Sequence, residues 1–128
     1  MHPYEAALRV PGRELLIREI DLLHSGHLRL LTEFTYPDGS SVDLFLVRSE
    51  DGGFDRVSDL GSTLELIGLC SLDDVDEGTA SAAAENCGGV LRAGMLEKLV
   101  GSPEEVWPAL RAVLHACLCV VDTPRWKK

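Results

Sequence analysis

Three sets of residues in this 128-residue chain carry side chains able to do chemistry. The first is carboxylate. Asp38 and Asp43 straddle a predicted hairpin, and Glu33 lies on the strand before it. Acids grouped at a β-hairpin can hold Mg²⁺ for phosphodiester cleavage, because the hard cation takes oxygen ligands and steadies attacking and leaving oxygens. The usual nuclease pattern adds an acid, one spacer and a lysine on the second strand. Here Asp43 is followed by Leu44 and Phe45, and Asp38 is explained by turn chemistry. The second set could bind metal. His24 and His27 flank Ser25-Gly26 at a predicted junction, and the cysteines are Cys70, Cys87, Cys117 and Cys119. Cys117 and Cys119 are two apart on a predicted helix and so point to different sides. There is no Cys-x-x-Cys, and the expectation is four reduced, metal-free thiols. The third set is Ser58-Asp59 with His115, but no Gly-x-Ser-x-Gly elbow accompanies it. Asp59 reads as a turn or cap residue and His115 as a packed or surface residue of an amphipathic helix. The expectation is no catalytic residue, no metal and no cofactor.

Charge is the stronger signal. Residues 50–86 contain ten acids and one base, Arg56, a balance of −9 that equals the net charge of the whole chain. The acids expected to meet a partner are Glu50, Asp51, Asp55, Asp59, Asp73, Asp74, Asp76, Glu77 and Glu85; Glu65 completes the ten. A block of this kind repels nucleic-acid phosphates and attracts basic protein surfaces. Its bland counterpart is a solvating face that keeps the chain soluble.

These residues must be positioned by a fold, and 128 residues with 45% hydrophobic content suffice for one domain, residues 1–128, with a real core. Aromatics are scarce, so Leu, Val and Ala supply the burial. No apolar run approaches the length of a membrane span. The N-terminus lacks the basic start and apolar core of a signal peptide, and the expected location is the cytoplasm.

The spacing of Leu15, Leu16, Ile20 and Leu23 predicts a helix over residues 11–24, closed by Ser25-Gly26. A three-strand meander follows: alternation from Leu28 to Tyr36, a Pro37-Asp38-Gly39-Ser40 turn, a buried strand over Val42–Val47, then Phe54–Val57. Ser62-Thr63-Leu64-Glu65 is a capping-box pattern for a short helix, and residues 73–86 predict another, broken by Gly88-Gly89. Residues 90–100 predict a small hairpin around Ala93-Gly94. Ser102-Pro103-Glu104-Glu105 opens a last helix to about Val121, ahead of a loose tail, 122–128. The fold class is therefore α+β: an antiparallel sheet, meander plus small hairpin, with helices packed mainly on one face.

Tyr36-Pro37-Asp38-Gly39, Val42-Asp43-Leu44-Phe45-Leu46, Val57-Ser58-Asp59-Leu60-Gly61-Ser62-Thr63-Leu64 and the helix around Leu110–Val120 together resemble the domain of unknown function 1828 family of bacteria and phages. The likeness covers about residues 28–121 and departs from the family at the acidic, Ala-rich stretch 73–86. It implies a compact intracellular α+β domain, often phage-encoded, and carries over no catalytic residue. Charge and resemblance together predict a small non-enzymatic interaction module. Its partner would be a basic surface of a nucleic-acid-binding complex, as for an anti-CRISPR-like inhibitor of bacterial defence, with no direct nucleic acid and no membrane. The alternatives are an unusual or degenerate metal-dependent hydrolase or nuclease at Glu33, Asp38 and Asp43, and an antitoxin-like accessory protein.

Overall fold

The structure, a computed structural model, describes residues 17–36, 39–70 and 77–121, with the side chains of 68–70 and 77 excepted. Four strands follow one another: β1 (Ile17–Leu22), β2 (Leu28–Thr35), β3 (Ser41–Arg48) and β4 (Phe54–Ser58). Two helices come next, α1 (Ser62–Cys70) and α2 (Glu77–Asn86). A hairpin of β5 (Val90–Arg92) and β6 (Met95–Leu99) leads to a 3-10 turn (Pro103–Glu105) and to α3 (Val106–Val121). Among the described residues the strands form one antiparallel sheet in the order β1-β2-β3-β4-β6-β5. This is the expected α+β class. The meander has four strands rather than three, and the small hairpin extends the same sheet through β4 and β6.

The extra strand corrects the helix predicted over residues 11–24, of which residues 11–16 lie outside the described residues. Ile17, Ile20 and Leu22 pair with Thr32, Leu30 and Leu28, so all three share one face. A regular strand would put Ile17 and Ile20 on opposite faces. A bulge between Ile17 and Glu19 inserts one residue and restores the match. The resulting three-residue step mimics helical spacing on paper. Ser25-Gly26 forms the β1–β2 turn instead of a helix cap: Gly26 takes φ +90° and donates its N–H to the Leu23 carbonyl at 2.9 Å.

The β2–β3 turn is closed by the Tyr36 N–H donating to the Ser40 carbonyl (2.8 Å), while the predicted tip residues Pro37 and Asp38 lie outside the described residues. Leu44 and Leu46 are fully buried, as alternation predicts. Phe34 departs from the alternation. The register shifts between Leu31 and Thr35, which leaves Phe34 exposed while Thr32 and Tyr36 stay buried. Thr32 holds this irregularity, its hydroxyl accepting the Phe34 N–H (3.2 Å) and donating to the Val42 carbonyl (2.7 Å).

Leu28, Leu30, Val42, Leu44, Leu46, Val57 and Leu96 belong to the core on the sheet side. On α3, Val106, Leu110, Val113, Cys117 and Val120 recur at helical spacing and complete it. Each large apolar side chain removed from water contributes roughly 1.5–3 kcal/mol. Among the described residues no helix is long and apolar enough to cross a membrane.

Candidate functional site

The acids of the 50–86 block fall into different environments. Glu50 and Asp51 are exposed at the β3–β4 turn, where Asp51 accepts the Gly53 N–H (2.9 Å) and the Ser49 hydroxyl. Asp55 is paired with Arg56 at 3.1 Å, and Arg56 also reaches Glu97 at 3.1 Å, a buried acid that Arg92 meets as well. The block's one base is thus held by carboxylates on the sheet. Glu65 and Glu85 are exposed on α1 and α2. Asp73, Asp74 and Asp76, and the side chain of Glu77, lie outside the described residues.

Asp59 is withdrawn from the predicted acidic surface, for it is 0% exposed. Its Oδ1 accepts the N–H of Gly61 (2.8 Å) and of Leu96 (2.9 Å), and its Oδ2 accepts the N–H of Thr63 (3.2 Å) and faces the Cys117 thiol at 3.9 Å. Two backbone donors at the start of α1 and a third from β6 hold this buried carboxylate in place. The Ser62 hydroxyl donates to the Asp59 carbonyl (2.9 Å), so the cap of α1 comes from Asp59 rather than from the predicted Ser62 side chain. Next to it Thr63 and Tyr36 share a hydroxyl hydrogen bond at 2.8 Å. Burial, and then the nearby Asp59 charge, push the Cys117 thiol up to about 12. Burial first, and then Cys117, raises the Tyr36 hydroxyl well above its ordinary value. A thiol held protonated is a poor nucleophile, and through these contacts the polar group ties the ends of β2 and β4 to α1, β6 and α3.

Clefts open elsewhere among the described residues, and two of them lie beside groups already named. One, of about 280 Å³, is walled by Ile20, Leu22, Leu28 and Phe54, with Arg48 and Gly52 at its side. Gly52 belongs to the turn that carries Glu50 and Asp51, and Leu22 is 73% exposed. The other, of about 600 Å³, is bounded by Thr35, Tyr36, His115, Leu118 and Cys119.

The larger cleft borders a cluster that the sequence does not announce. α2 ends in a Schellman arrangement: the Gly88 N–H donates to the Glu85 carbonyl (3.1 Å), and the Gly89 N–H to the Ala84 carbonyl (2.9 Å). Gly89 lies so close to α3 that a Cβ there would stand 2.9 Å from the Ala116 Cβ. This contact brings Cys87 to the face of α3 that presents His115 and Cys119, one helical turn apart. The Cys87 and Cys119 sulfurs are bonded, which corrects the expectation of four free thiols. The pair is 32 residues apart, and helix packing rather than spacing joins it. Cys117 points the other way, into the core, as its offset predicts. One donor atom from each of Cys87, His115 and Cys119 lies within 4.8 Å of the others; His115 is exposed and both cysteines are half-buried. The readable part of this signal was His115-x-x-x-Cys119 on one helix face.

Among the described residues, the other sequence-derived groups are not brought together. The His27 Nδ1 accepts the Arg48 N–H (2.9 Å), which ties the β1–β2 turn to β3, and His24 is exposed. Glu33 is exposed, Asp43 accepts the Ser41 hydroxyl (2.9 Å), and Asp38 lies outside the described residues. Ser58 is buried and its hydroxyl accepts the Leu60 N–H at 3.0 Å. No protein-family model matches the chain, and neither a curated protein nor a solved structure matches it, so the reading of these sites rests on their own geometry.

Proposed function

We propose that this chain is a small non-enzymatic interaction protein that docks on a basic protein surface, one that otherwise holds nucleic acid. The observation that carries this reading is the β3–β4 turn. Glu50 and Asp51 stand exposed beside the apolar cleft of Ile20, Leu22, Leu28 and Phe54, and Leu22 is largely uncovered. Acids at a rim steer a basic partner and fix its register, while an apolar pocket takes an anchoring side chain. The burial of Asp59 and the pairing of Asp55 narrow the contact to this turn, Glu85 and the acids of 73–77. The resemblance to the domain of unknown function 1828 family extends the proposal to a phage-encoded inhibitor of a defence complex acting in the bacterial cytosol.

The test is capture from a bacterial lysate by the full chain, by Glu50→Lys/Asp51→Lys and by Leu22→Asp, followed by assay of the captured protein's nucleic-acid binding. A basic partner should be retained by the wild type, released as salt rises because screening tightens from about 10 Å at 0.1 M to about 3 Å at 1 M, and lost by both variants. Its nucleic-acid binding should be blocked by the wild-type chain alone. Capture that ignores both variants and salt would refute the proposal.

A further inference from the structure

We infer that Cys87, His115 and Cys119, once their sulfurs are reduced, form a three-ligand site for a borderline-soft divalent cation, zinc foremost, with its fourth position reached through the adjoining cleft. Four observations converge. The donor set of two sulfurs and one imidazole is the chemistry zinc selects and that Mg²⁺ and Ca²⁺ do not. The three donor atoms already lie within 4.8 Å of one another. Ligand atoms around a tetrahedral zinc, at bond lengths of about 2.0–2.3 Å, stand roughly 3.3–3.8 Å apart, so opening the sulfur pair is enough to admit the ion. The Cα atoms of Cys87 and Cys119 are 7.1 Å apart, at the wide end of what a sulfur pair spans, which leaves room between the two side chains once the bond is opened.

Positioning supports the same reading. His115 and Cys119 are one turn apart on α3, a rigid element in the core, and Gly88-Gly89 hold Cys87 against it. Three protein ligands are the number a zinc site uses when it leaves one position to water or an incoming ligand. Here His115 and Cys119 also line the cleft of about 600 Å³, so that position has a route to solvent. The bonded and metal-holding states are alternatives, because each needs both sulfurs. A dithiol reductant supplies two electrons to the Cys87–Cys119 bond and leaves as its own disulfide; the two new thiols then release their protons to water as the cation binds.

Cobalt(II) substitution tests this on the full chain under a dithiol-free phosphine reductant, which gives up the two electrons as its oxide. The reduced, folded protein should take up one equivalent of Co²⁺ with thiolate charge-transfer absorption and intense visible d–d bands, and Zn²⁺ should displace it. The oxidised protein should show neither band. His115→Ala removes an exposed side chain and Cys119→Ser a half-buried one; each should keep its circular dichroism and weaken Co²⁺ by at least about tenfold, a scale on which even outer partners of a metal act. Cys117→Ala should leave the bands in place. Absence of the bands in the reduced protein, loss of fold on reduction, or bands that survive unchanged in both ligand variants would each overturn the site.

Discussion

Asp59 carries two readings in the sequence, a turn or cap residue and a member of the acidic surface, and the fold keeps only the first. Ser62-x-x-Glu65 fits a capping box. Yet the carboxylate that holds the start of α1 comes from three residues upstream, and it also accepts an N–H from Leu96, 37 residues away. No local pattern reveals the second contact, because its donor lies on a strand made much later in the chain. Asp59→Ala should leave the N–H groups of Gly61, Thr63 and Leu96 without their acceptor and cost about 3 kcal/mol or more in urea unfolding. Asp59→Asn keeps one carbonyl oxygen for Gly61 and Leu96 and should lose visibly less. Equal losses in the two variants would mean that packing rather than hydrogen bonding sets the cost.

At the scale of elements, the sequence was legible where a turn residue and alternation agreed. The β5–β6 hairpin at Ala93-Gly94 follows that rule, and so does the β2–β3 hairpin outside the register shift at Phe34. Helical spacing marks the end of α3 at Val121, but its expected first turn is the 3-10 turn Pro103–Glu105, where the Ser102 side chain makes no cap hydrogen bond. The sequence was not legible where a bulge shifted the period, as in β1. Gly88-Gly89 could be read as a helix break but not as a close approach to α3, because the neighbour that makes it close lies in a later helix. The approach can be tested directly. Gly89→Ala puts a methyl group 2.9 Å from Ala116, whose own Cβ belongs to a buried helix position that cannot swing away. It should destabilise by about 1–3 kcal/mol, as overpacking does. By moving Cys87 off α3 it should also raise the count of reactive thiols in oxidised protein by two. A count unchanged from wild type would show that Gly89 does not set the Cys87 position.

Over the whole molecule, charge was the property best read from sequence, but its distribution was not. The fold hides Asp59, pairs Asp55 and leaves Glu50, Asp51 and Glu85 outside. Stability should follow pH for a different reason. Cys117 and Tyr36 hold their protons more tightly folded than unfolded, so their contribution is complete below the ordinary thiol value and is lost as pH rises toward the folded value of about 12 for Cys117. The urea midpoint should fall from about pH 9 upward, each group adding on the order of 1 kcal/mol per pH unit while it titrates only in the unfolded chain. Cys117→Ala should flatten that slope by about one proton; an identical slope would remove Cys117 from the account.

The order of the elements has one more consequence, for how the molecule comes into being. The helix that completes the core, α3, is made after every strand of the sheet. On a ribosome adding about 5–20 residues per second, β1 to β4 wait for seconds with Leu30, Leu44 and Leu46 facing water and the edge of β4 open until β6 arrives. A chain interrupted before Val106 is therefore not a smaller version of this protein but a sheet with an uncovered face, and its fate is aggregation or a chaperone.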